Sequence, residues 1–134
     1  MRTFIEVLAG IAILTNAVIY GTDVFGAIVL RPAIAAVDDR TLTQLLGHIH
    51  RIADRRFPAI GAGGLIAAMA TAALAGASGH WVSAAAAALA TLALVIFLAI
   101  YNRKLQARWD SVINARVALQ TLALAALCVA LAAV

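Results

Sequence analysis

Residues 57–102 read FPAIGAGGLIAAMATAALAGASGHWVSAAAAALATLALVIFLAIYN and contain no Asp, Glu, Lys or Arg. The only punctuation is Ala77-Ser78-Gly79-His80. The stretch therefore divides into two apolar runs of about 20 residues, the length an α-helix needs to cross roughly 30 Å of hydrocarbon. A tight helical hairpin is predicted, with spans at 58–77 and 81–101. Pro58 suits the first turn of its helix, where a missing N–H costs nothing. Trp81 and Tyr101 stand at the two ends of the second run, where amphipathic aromatics favour the headgroup level.

Two further apolar runs flank the hairpin. One spans 4–30, is interrupted by Glu6 and Asp23 and stops at Arg31-Pro32; the other spans 111–133. Across all 134 residues the chain is 65% hydrophobic and 12% charged, with a mean hydropathy of +1.02. A soluble domain is nearer half apolar and a quarter charged. The composition excludes a disulfide scaffold, a disordered tail and an ordinary nucleic-acid-binding domain. Cys128 is the one cysteine, so no CxxC motif or thiolate cage is available, and its apolar surroundings predict a buried small hydrophobe. Arg2 and Glu6 at the start of a long first run argue for a retained helix over a cleaved signal.

The fold expected is all-α: an integral membrane four-helix bundle forming one domain, 1–134, with an amphipathic cytoplasmic helix between the first and second spans. Gly61, Gly63, Gly64, Ala67 and Ala68, facing the run at 84–88, supply small residues that let helix backbones approach closely. Arg31, Arg40, Arg51, Arg55 and Arg56 lie between spans one and two, and Arg103, Lys104 and Arg108 between spans three and four. Arg2 and the neutral Gly79-His80 turn lie on the other side. The positive-inside rule makes both basic connections cytoplasmic and puts both termini outside the cytoplasmic membrane. Anionic lipid headgroups then account for the basic balance without nucleic acid.

The first connection is patterned. Leu42, Leu45, Leu46, Ile49, Ile52 and Ala53 recur at helical spacing behind the candidate N-caps Asp38 and Asp39, which predicts an amphipathic helix over 40–56, lying at the interface or running into span two. It carries His48 and His50, about 200° apart on a helix and so poorly placed to share a metal. His50 and Asp54, at i and i+4, can form a carboxylate-oriented imidazole, the arrangement a general base needs. Ordinary helix-face pairing on a solvated helix explains the same residues equally well.

Charges at membrane depth are costly and mark sites by default. Asn16, Tyr20 and Asp23 share one face of span one, and Arg116 in span four is the preferred partner for Asp23. A structural ion pair is the plainer reading of that couple. Trp109, Arg116 and Gln120 fall on one face of span four, Asn114 turns away, and Asn102 at the end of span three comes near this set if the connection is tight.

In Tyr101-Asn102, Arg108-Trp109-Asp110, Asn114 and Arg116, with Gly21, Phe25, Gly26 and Arg31-Pro32 behind them, the sequence resembles the DUF1772 family of small four-helix membrane proteins, which includes anthrone-oxygenase-like proteins. It departs from that pattern at Ile100, where proline is common, and at Asn114, where histidine is frequent. The resemblance implies an oxygenase that deprotonates a polycyclic phenol of the anthrone type and exposes the anion to dioxygen. On that reading His50, oriented by Asp54, is the catalytic base and His48 the second candidate; Asn102, Trp109, Arg116, Asp23 and Tyr20 bind substrate. No cofactor or metal is expected, although a single-histidine haem or metal site remains compatible with the sequence. The partners expected are membrane lipids and a hydrophobic small molecule, with a second copy of the chain as an open alternative. The rival reading is a non-enzymatic module that binds lipid or a small molecule or assembles with a partner; a transporter and a haem protein rank behind it.

Overall fold

The computed structural model describes residues 1–102 and 109–134, and within these the side chains of all but residues 50, 101, 102 and 109–111. Every long element among the described residues is a helix: α1, Arg2–Ile34; α2, Asp39–Ala77; α3, Trp81–Asn102; and α4, Trp109–Ala132. Each contains a window long and apolar enough to cross a membrane. They pack in a ring, with α1 against α2, α2 against α3, α3 against α4, and α4 back against α1.

The core is thin because its residues are small. Ala12, Ala67, Ala68, Ala90, Ala93, Ala123 and Ala126 meet at the centre with Leu94 and Leu127. Gly64 lies against α1, where a Cβ would come 2.6 Å from Thr15 Oγ1, so only glycine lets the helices meet there without displacement. Gly63 faces open space instead. Large apolar side chains such as Leu14, Ile28, Ile66, Val82 and Leu92 point outward. Apolar surface on all sides is what a helix surrounded by lipid requires.

The hairpin turn follows from one residue. Gly79 takes φ 80°, the left-handed conformation that glycine adopts without a Cβ penalty, and the His80 N–H then donates back to the Ala75 carbonyl at 2.9 Å. Ser83 Oγ ties α3 to α4 at this end by donating to the Ala130 carbonyl at 2.7 Å.

Three expectations need correction. Arg31-Pro32 does not stop the first helix, which runs on to Ile34. Pro32 cannot donate to the carbonyl one turn back, and the helix accommodates it with a π turn over Gly26–Leu30 in which the Arg31 N–H reaches the Gly26 carbonyl. Pro58 does not open a helix but lies inside α2, so 40–56 and the apolar run at 58–77 form one 39-residue helix, the second of the two arrangements expected for that segment. Asp38 caps its start, its carboxylate accepting from the Arg40 and Thr41 N–H groups at 3.1 and 3.0 Å. Cys128 is exposed, because Ala123, Ala126, Leu127 and Ala130 take the inward face of α4.

Candidate functional site

Asp23 occupies the buried face of α1 one turn before the π turn. Arg116 on α4 donates to it, Nη2 to Oδ1, at 2.7 Å, with the Asp23 side chain 8% exposed and that of Arg116 21% exposed. Gln120, one turn further along α4 and fully buried, donates Nε2 to Asp23 Oδ2. The carboxylate is thus held through both oxygens. The Arg116 guanidinium also stacks over Phe97 of α3, 5.3 Å from the ring centroid, an aromatic face that favours a cation away from water. Asn16, two turns along α1 from Asp23, donates Nδ2 to the Gln120 carbonyl at 3.3 Å. A polar ladder of Asn16, Gln120, Asp23 and Arg116 therefore runs through an otherwise alanine-rich interior.

Arg116 forms part of the wall of two adjoining cavities. The larger, of about 240 Å³, lies among Ile19, Phe57, Pro58, Gly61, Leu65, Phe97 and Arg116 and is apolar apart from that guanidinium. The other, of about 120 Å³, is bounded by Asp23, Gly26, Ile49, Asp54, Phe57 and Arg116, and so has two carboxylates. Phe57 and Arg116 belong to both walls. The stripe on the first half of α2 shapes this second cavity through Leu46, Ile49 and Ala53, whereas Leu45 and Ile52 of the same segment point outward.

The structure brings together Asp23, Arg116 and Asp54 of the residues singled out from sequence. Tyr20 is half-buried and touches none of these cavities. His48 is exposed, with Nδ1 2.9 Å from the Gln44 carbonyl of its own helix, away from the cavities. Asn114 is exposed, as its spacing implied. The side chains of His50, Asn102 and Trp109 lie outside the described residues, as do Arg103, Lys104 and Arg108 entirely. Gln120 and Asn16, which the sequence places on the faces of Arg116 and Asp23 without a binding role, join the site, and so does Phe97, which was not singled out. The i, i+4 spacing of Arg116 and Gln120 was the signal for the first; nothing in the sequence marks Phe97 among so many apolar neighbours.

Among the described residues no three His, Cys, Asp or Glu side chains cluster as metal ligands do. What the site offers is a fixed acceptor beside a fixed donor in an apolar setting. Comparison with protein-family models, curated proteins and solved structures returns no match.

Proposed function

We propose that this chain is a multi-pass protein of the cytoplasmic membrane, a four-helix bundle with both termini outside, that binds a lipid-soluble, weakly acidic phenol between its helices. The observation that carries the reading is Arg116, paired with Asp23, in the wall shared by an apolar cavity and a carboxylate-lined one. The pair is neutral overall, so it does not favour a strongly anionic ligand. A phenolic or enolic hydroxyl suits it, because the hydroxyl donates to a carboxylate and accepts from the guanidinium. The aromatic body would lie in the larger cavity beside Phe57 and Phe97.

The oxygenase implied by the family resemblance extends this reading. A base removes a proton from an acidic methylene, the delocalised anion passes one electron to dioxygen, the carbon radical and superoxide combine to form a C–O bond, and the peroxide takes back the proton. The hydroperoxide then loses water, its O–O and remaining C–H bonds breaking, to leave a ketone. The balance is one dioxygen consumed and one water released per methylene. Arg116 stabilises the enolate oxygen by charge and hydrogen bonding. The base we assign is His50, one turn before Asp54 on α2, and Asn102 and Trp109 are assigned to substrate binding on the family resemblance alone.

The test is to add anthrone to purified, metal-stripped protein in lipid nanodiscs and follow oxygen uptake and binding together. Saturable binding with oxygen uptake that falls at least tenfold in His50→Ala supports the oxygenase. Binding without uptake leaves the non-enzymatic binding module, and absence of saturable binding overturns both.

A further inference from the structure

Asn16 is 2% exposed, and its amide is oriented by the Nδ2 hydrogen bond to the Gln120 carbonyl on α4. Its Oδ1 has no hydrogen-bond partner among the described residues. Asn16 also lines a small space of about 10 Å³ with Thr15, Ile60, Gly64 and Leu94, room for one oxygen-sized group. Ile19, Gly61, Phe97 and Leu98 line both this space and the 240 Å³ cavity, so the small space adjoins the inner end of the larger one. Thr15 and Gly64, where α1 and α2 approach closely, form its wall on that side. An amide oxygen removed from water requires a donor, and hydrocarbon supplies none.

We infer that Asn16 Oδ1 is a second recognition point, a subsite for one O–H donor at the far end of the ligand. The inference rests on the reading of the larger cavity as a phenol site and adds to it the shape of the molecule bound. Asn16 and Asp23 are seven residues apart on α1, about 10 Å along the helix axis. A ligand that meets both carries hydroxyls at opposite ends of a two- or three-ring body, one on the Asp23–Arg116 pair and the other donating to Asn16. A single water is the other source of the same O–H chemistry.

The experiment compares 4-phenylphenol with 4,4′-dihydroxybiphenyl by titration calorimetry on the full chain in nanodiscs, each corrected against empty nanodiscs. The second hydroxyl is expected to tighten binding roughly tenfold, as one well-placed hydrogen bond would. Asn16→Leu keeps the branched shape of the side chain and removes its amide, the Oδ1 acceptor together with the Nδ2 donor to Gln120, so within this variant the two phenols bind equally. Leu94→Phe fills the small space without altering the amide and gives the same loss, which covers the case in which Asn16→Leu does not fold. A gain that survives both variants overturns the subsite, and so does the lack of any gain in the wild type, the result expected if water alone meets Asn16. If 4-phenylphenol binds but the second hydroxyl adds nothing, the subsite alone fails. If neither compound binds saturably, the phenol reading fails with it.

Discussion

Asp23 is held by Arg116 and Gln120 in an interior made mainly of alanine, and removing either charge leaves the other uncompensated. Asp23→Asn or Arg116→Gln is expected to destabilise the fold by about 3 kcal/mol, whereas the double replacement recovers most of that loss. Thermal unfolding in one detergent reads the difference; additive losses would mean that the two side chains are not coupled. This couple was legible in the sequence because a charge at membrane depth needs a partner and Arg116 was the cation at matching depth. Gln120 and Phe97 were less legible, since their part depends on how α3 and α4 are rotated against Asp23. The same rotation undid the expectation for Cys128. With alanines on every side of 121–134 the run has no polar face, so sequence alone could not say which side turns inward. Asp38 lies outside the bundle, and the Thr41 and Arg40 N–H groups hold its carboxyl below the usual aspartate range. The ionised form is therefore the one favoured by folding. Its contribution is complete above the ordinary aspartate pKa and disappears as pH falls through the lowered value. The protection of the Arg40 and Thr41 amides against exchange, relative to their intrinsic rates, should fall across that acid window in the wild type but show no such step in Asp38→Asn.

At the level of the helices, the α1–α2 contact is set by Gly64. Gly64→Ala is expected to cost about 1–3 kcal/mol through overpacking against Thr15, while Gly63→Ala, which faces open space, changes stability little. Melting temperatures of the two variants in the same detergent make the comparison, and equal effects would remove the close approach as the reason for glycine. The hairpin at 77–80 was readable because glycine and polar residues interrupt an uncharged run. Helix continuity was readable only in part, as one of the two alternatives for 40–56. Proline rules predict a boundary at Arg31-Pro32 and a beginning at Pro58, yet a π turn accommodates the first and α2 runs through the second. A 39-residue helix is about 58 Å long, roughly twice the hydrocarbon thickness. This length is why the stripe around Leu46 and Ile49 can reach back to α1 and help bound the second cavity.

For the whole molecule, the four apolar helices and their outward-facing large side chains were predictable from composition, since no soluble fold would leave so much apolar surface in water. The orientation we propose has its own check. In a Cys128→Ala background, Ser78→Cys should react with a membrane-impermeant maleimide in intact cells, and Arg51→Cys only after lysis; the opposite pattern would invert the protein. The central claim is that a phenolic hydroxyl meets Arg116 inside the bundle. Its most direct test is the arginine side-chain NMR spectrum of the protein in nanodiscs, with the Arg116 signal identified from Arg116→Lys, during titration with 4-phenylphenol. The account predicts a saturable shift of the Arg116 guanidinium resonance at one equivalent of ligand. A titration that leaves that resonance in place, while only signals from the outer helix faces drift without saturation, would contradict it.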